Sequence, residues 1–268
     1  MLEFLSFGSG SSGNCYLLRT DNDALLVDVG VGVRFLKKRF AEYGVSVSQI
    51  HHVLITHDHA DHIKSVGSFA NDYHVPIYAT EAVHHGIFLN KCVRNKISSA
   101  DKKIIEKDKT YQLGDFTVTP FHVPHDSSDC VGFRIVYHDT VVCIMTDAGC
   151  ITEQMKQLIG EADFLVIEAD YDVEMLMEGP YPPNLKDRIL GETGHLSNRD
   201  CGEAIAQYAT PRLKHVCLCH LSDKNNHPTL ARYTVEQILR QHGIIAGLDF
   251  RLDCLKRNVP TGPFLLQE

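Results

Sequence analysis

The chain has 268 residues, 44% of them hydrophobic, and a formal net charge of −8. That is enough apolar material for one large α/β domain, and the acidic balance leaves no global basic footprint for nucleic acid, only room for a local groove. No apolar run of about 18 residues suggests a membrane span. The N-terminus MLEFLSFGSGSSGN also lacks the basic region and small-residue cleavage site of a secretory signal. Nine cysteines are scattered without a C-x-x-C pair, which reads as reduced, buried thiols and a cytoplasmic location.

In chain order, LEFLSFG, NCYLLRT and ALLVDVG read as strands joined by tight turns. VRFLKKRFAEYG has apolar residues at helical spacing and a glycine stop. IHHVLIT is a strand, and HIKSVGSFANDYH is expected to follow it as one helix. VPIYAT is a short strand, and EAVHHGIFLN a helix that Thr80 can cap. The middle is rich in strands, KKIIEK, KTYQLGDFTVTPFHV and CVGFRIVYHDTVVCIM, with a hairpin turn at YHDT. TEQMKQLIGEA is a helix and DFLVIEAD a strand. Residues from about 171 to 197 mix short helical patterns with Gly and Pro and read as a small lid-like segment. The helix RDCGEAIAQYA, the strand KHVCLCH, the helix PTLARYTVEQILRQHG and a last strand, LDFRLDCL, follow. Periodicity alone gives a layered α/β class. The alternation fits two packed sheets with helices outside, an αββα sandwich, and no linker splits the chain, so a single domain over 1–268 is expected.

The glycine- and serine-rich turn SFGSGSSGNCYLL has the composition of a phosphate cradle. No Lys follows its glycines and it opens a strand, which excludes a P-loop. Two readings stand: a plain hairpin turn, or a loop whose backbone amides meet a substrate phosphate with Ser11, Ser12 or Asn14.

The strongest chemical signal is LITHDHADHI, which places His57, His59, Asp61 and His62 between the end of a strand and the start of a helix. Four imidazole or carboxylate donors within six residues can point into one space. Imidazole suits Zn, Mn or Fe, and carboxylate favours a harder or bridged ion.

H-x-H-x-D-H after an apolar strand resembles the metallo-β-lactamase superfamily, an αββα fold with a two-metal site. The resemblance implies four further residues. LLVDVG supplies Asp28, expected to orient the His motif rather than bind metal. FHVPHDSSD offers His122 or His125, of which His125, followed by Asp126 in a turn, is the better ligand. CIMTDAG supplies Asp147 as a bridging carboxylate, and VCLCHLS supplies His220. The resemblance thus implies two divalent ions, Zn or Mn with Fe as an alternative. His57, His59 and His125 would hold one, Asp61, His62 and His220 the other, and Asp147 would bridge them. A water between such ions ionises near neutral pH. Oxygen-reducing di-iron members carry Glu where this chain has His59, so the imidazole argues for hydrolysis.

EADYD, YPPNLKDRI and GHLSN, with the opening hairpin, resemble the YycJ/WalJ-like branch. That resemblance implies a DNA substrate and 5′→3′ exonuclease activity, and with no long apolar run no membrane partner is expected. The alternative is hydrolysis of a small cyclic phosphodiester, thioester or lactone. In GHLSN, His195 can protonate a leaving alkoxide and Ser197 can bind a phosphate oxygen, with Glu168 orienting His195. Ser197 can equally cap the following helix. Asp170 and Tyr171 depart from the branch, where Asn and His are expected. Lys186 and Arg188 could meet a DNA backbone or form a solvated face. The stretch between Glu168 and His220 leaves no room for the large nucleic-acid-gripping insertion of the ribonuclease J type.

Overall fold

The computed structural model describes residues 1–267. The chain divides into two compact units. The first holds Met1–Pro120, Ser127–Val131 and the chain from Lys256 onward, and the second holds Phe121–Asp126 and Gly132–Leu255. The described strands form two mixed sheets of seven strands each.

In the first unit, β1 (Leu2–Gly8), β2 (Cys15–Arg19) and β3 (Ala24–Val27) form an antiparallel meander. β4 (Ile50–Leu54), β5 (Ile77–Ala79) and β6 (Lys102–Ile104) then continue the sheet in parallel from β3. The intervening crossovers carry α1 (Val33–Glu42), α2 (Ala60–Ile63), α3 (Val66–Tyr73) and α4 (Glu81–Leu89). Thr80 caps α4, its side chain accepting from the Val83 amide. All four residues of β3 are buried, as expected of a central strand covered on both faces. Leu26, Val53, Ile55, Phe40 and Phe69 lie in the apolar core of this unit.

The single helix expected over 62–74 is instead two. The His62 carbonyl accepts from Val29 N at 2.9 Å, and Ser65 N donates to Val29 O at 3.1 Å. The backbone there serves the neighbouring strand end rather than a continuous helical ladder. The strand-rich run 109–123 folds back at Gly114 (φ 54°) into the hairpin β7 (Tyr111–Leu113) and β8 (Phe116–His122).

The second unit carries β9 (Val131–Tyr137), antiparallel to β10 (Thr140–Met145) through the turn expected at YHDT. β11 (Phe164–Glu168), β12 (His215–Cys219) and β13 (Arg251–Cys254) follow in parallel. Its helices are α5 (Glu153–Glu161), α6 (Val173–Glu178), α7 (Pro183–Leu190), α8 (Asn198–Tyr208) and α9 (Pro228–Gln241). Residues of the expected lid segment form α6 and α7, with Tyr171, Leu176 and Ile189 clustered against Tyr181 and Leu185.

Sequence reading overlooked β14 (Thr261–Gln267), which pairs antiparallel with β1 and so completes the first sheet from the far end of the chain. Among the described residues no helix is long and apolar enough to cross a membrane.

Candidate metal-ligating clusters

Both units repeat one device: a run of parallel strands whose carboxyl ends carry polar, buried side chains. Ligand sites in open α/β sheets lie at such ends. Asp28, Asp147 and His220 all sit just past strand ends in the left-handed region, with φ of 63°, 55° and 54°. Such a conformation costs a non-glycine residue of order 1–3 kcal/mol, and it persists where the surroundings over-determine it.

In the first unit, Asp28 is fully buried and organises the motif after β4. Its Oδ2 accepts from His62 Nδ1 at 2.7 Å and from the Thr56 hydroxyl at 2.9 Å, and its Oδ1 accepts from the Thr56 amide at 2.9 Å. With its proton given to Asp28, Thr56 Oγ1 accepts from His57 Nδ1 at 3.0 Å. These partners fix the proton on Nδ1 of both histidines and leave each Nε2 with a lone pair. The His57 ring lies 4.8 Å from that of His59 and 4.0 Å from that of His62. His62 Nε2 and Asp61 Oδ2, both acceptors, stand 3.5 Å apart. The intervening Asp58 turns away, accepting from the Ser128 amide and hydroxyl.

Asn14 takes a different place from the one its sequence context offered. It is fully buried, accepts from Gly10 N at 2.7 Å, and donates to Asp61 Oδ2 at 3.3 Å and His62 Nε2 at 2.8 Å. Its backbone amide donates to Asp61 O at 2.7 Å. Asn14 therefore braces the His motif from within the fold. Ser11 and Ser12 are exposed, and the Ser12 hydroxyl donates to Asn258 Oδ1 at 2.7 Å.

In the second unit, His125 is buried while His122 is exposed. His125 Nδ1 donates to the Gly194 carbonyl at 3.0 Å, which leaves a lone pair on Nε2. His220 Nδ1 faces Glu168 Oε1 at 3.1 Å and Asp170 Oδ2 at 3.4 Å. Asp147 Oδ1 then stands 3.3 Å from His220 Nε2 and 3.9 Å from His125 Nε2. Asp147, Glu168, His195 and His220 each offer a donor atom within 4.8 Å of the others.

His195 Nδ1 donates to Glu168 Oε1 at 2.8 Å, and the His195 ring stacks on that of His220 with centroids 5.3 Å apart. Burial opposes charge on both members of the His195–Glu168 pair, but their mutual attraction outweighs it. Glu168 stays below the ordinary carboxylate value, and His195, which also feels Asp170 and Asp147, is raised to about 9. Glu168 Oε2 also accepts from the Ala148 and Leu196 amides, which locks the carboxylate.

Ser197 resolves toward helix capping. It is buried, accepts from Asp200 N at 3.0 Å and donates to Asp200 Oδ2 at 2.6 Å. Its hydroxyl is spent on α8 and is not presented to a phosphate. Arg188 forms a two-pronged pair with Asp126, at 2.5 and 3.0 Å, and Lys186 donates to the Met177 carbonyl. Thr56, Asn14 in its bracing role and Asp170 are the contributors that sequence reasoning missed. The Thr immediately before His57 was the one local signal available.

Each cluster fits a divalent cation on its own chemistry. In the second unit, imidazole lone pairs and a carboxylate oxygen converge at 3.3–3.9 Å with like partial charges facing one another, an arrangement that a cation relieves. Mixed imidazole and carboxylate donors suit Zn, Mn or Fe.

The comparisons with known proteins agree with this fold. The profile of the β-lactamase superfamily domain matches residues 24–221, and the chain belongs to that superfamily. It is 34% identical over 260 residues to exodeoxyribonuclease YycJ of Bacillus anthracis, covering 97% of each chain. It is 37% identical over 244 residues to exodeoxyribonuclease WalJ of Streptococcus pneumoniae serotype 2 strain D39, covering 91% of this chain and 90% of that one. In structure it resembles the metallo-β-lactamase fold protein YhfI of Bacillus subtilis, with a TM-score of 0.71, 18% identity and coverage of 97% and 98%.

Proposed function

We propose that this chain is a dinuclear metal-dependent phosphodiesterase that degrades DNA from the 5′ end. The observation that carries the reading is the pairing of two preorganised donor clusters with 34–37% identity to curated exodeoxyribonucleases over nearly the whole chain. The family profile runs through both compact units, which supports treating them as parts of one domain.

The ions, Zn or Mn, would be held by His57, His59, Asp61, His62, His125, Asp147 and His220. Divalent ions in such sites lower the pKa of water toward about 7 and offset charge on phosphoryl oxygens. The residues of the chain do the rest. Asp28 and Thr56 keep the lone pairs of His57 and His62 aimed at the ions. Asn14 holds Asp61 in register. Glu168 orients His195 through Nδ1, so that its other ring nitrogen can deliver a proton to the departing alkoxide.

The test is cleavage of 5′-phosphorylated duplex DNA by purified protein in Mn²⁺, beside Asp61→Ala and His62→Ala variants. Nucleotides released by the wild type and not by the variants are the expected result. Inert DNA, together with turnover of a small cyclic phosphodiester, thioester or lactone, overturns the assignment in favour of a small-molecule hydrolase.

A further inference from the structure

Within the first unit a cavity of about 280 Å³ opens beside the His motif, lined by Phe7, Ser12, Val31, Phe35, Lys64 and Arg257, among others. Three segments distant in sequence build it. The β1–β2 turn contributes Ser12, whose hydroxyl is bound by Asn258. Lys64, two residues past His62, donates from Nζ to the Ser12 carbonyl. The segment after β13 contributes Arg257, whose carbonyl accepts from the Ser9 amide at 3.3 Å. The floor is apolar. Phe7 packs edge-on against Phe40, and Phe35 is half-buried under the Arg39 guanidinium.

We infer that this cavity is a nucleotide subsite, in which Lys64 and Arg257 take a backbone phosphate and Val31 and Phe35 take the adjoining sugar or base. The inference deepens the proposed nuclease reading and rests on it. Two cations over an apolar floor match the chemistry of a nucleotide, anionic on one side and flat and apolar on the other. In a chain of net charge −8, a local pair of cations is what an anionic polymer needs in order to dock. The location is also informative. The chain passes from Ser12 to Asn14, which braces Asp61, and from His62 to Lys64. A phosphate held here therefore sits on the same two segments that carry metal ligands.

The experiment is steady-state cleavage of a short 5′-phosphorylated single strand by the Mn²⁺-loaded protein across a range of KCl concentrations. Wild type is compared with Lys64→Ala, Arg257→Ala, the double variant, and Lys109→Ala as a remote control. Both test side chains lie at the surface or half-buried, and the Ser9–Arg257 bond uses the backbone, so folding is expected to survive and is checked by circular dichroism. Loss of two phosphate contacts should raise KM by about 10- to 30-fold and make the slope of log KM against log salt shallower by about 1.4. Lys64→Arg should restore the slope and Lys64→Gln should not.

Unchanged KM and slope in the double variant overturn the subsite while leaving the nuclease assignment standing. If the wild type cuts no nucleic acid, the nuclease assignment fails, and the cavity is judged by calorimetric titration with a 5′-phosphorylated dinucleotide. Binding that the double variant loses upholds the subsite. Absence of binding, or binding that the double variant retains, ends it.

Discussion

A Cβ placed on Gly30 would lie 1.5 Å from the carbonyl oxygen of Asp61. The glycine therefore lets the strand-end backbone lie directly against the turn that carries Asp61. The same close approach recurs at Gly13, where a Cβ would meet the Gly30 carbonyl at 2.6 Å. Gly30→Ala should push the turn outward, since overpacking costs about 1–3 kcal/mol even where side chains can yield, and here the neighbour is backbone. The expected outcome is a lower melting temperature and metal content well below wild type, read by calorimetry and elemental analysis. A variant with full metal content would contradict it.

Asp28 touches no solvent and fixes His62 directly and His57 through Thr56. Asp28→Asn removes the charge and sets an amide against one of the donors it served. Metal affinity should fall about 10- to 100-fold, the range seen when such outer partners are lost. Competition with a chromophoric chelator measures it, and retained far-UV circular dichroism separates it from unfolding.

His195 is oriented by Glu168 and is the most exposed of the four clustered side chains of the second unit, at 17%. As proton donor to the leaving group, its loss in His195→Ala should lower kcat by about 10²–10⁴-fold. KM and metal content should stay near wild type. If kcat holds while metal content drops, the residue is a ligand and not a proton donor.

Removal of metal should weaken the fold, because the acceptors of the second unit that face one another at 3.3–3.9 Å lose the cation between them. Adding Mn²⁺ to chelator-treated protein should raise the melting temperature, with about 2.7 kcal/mol gained at a hundred times Kd. A melting temperature indifferent to metal would show that the clusters bind none.

His84 lies away from the donor clusters, and its Nε2 donates to the Lys103 carbonyl at 3.1 Å. Burial holds its pKa below the ordinary 6.5. The unfolded chain then binds the proton first, so this contribution is intact above pH 6.5 and is lost as pH falls below it. His84→Gln keeps a neutral donor and cannot take up that proton in the unfolded state. The melting temperature of the variant should therefore fall less steeply than that of wild type on acidification. Parallel curves would remove His84 from the account.

The H-x-H-x-D-H run was legible because it combines a local chemical signature with a strand end that hydrophobic patterning reveals, and Asp28, Asp147 and His220 were expected from the family resemblance which that run carries. His125 could be preferred to His122 for the same local reason, a turn against a strand, and the burial of the one and exposure of the other follow that difference. Roles that depend on distant partners were not legible. Asn14 and Ser197 look like phosphate ligands in sequence. Asn14 is consumed by Asp61 and His62, and Ser197 by Asp200. β14 escaped notice because a mostly half-buried segment with Gly and Pro becomes a strand only by pairing with β1 at the other end of the chain.

The sequence by itself determined the H-x-H-x-D-H run and the alternation of strands and helices, since residue type and apolar period are properties of neighbours along the chain. It also posed a choice for SFGSGSSGN between phosphate cradle and plain turn. Only the tertiary structure decided that its glycines serve close backbone contact, that its Asn braces Asp61, and that Ser12 meets Lys64 and Arg257 around one cavity. Those relations join residues far apart in the chain, and no local pattern encodes a distance that folding alone brings about.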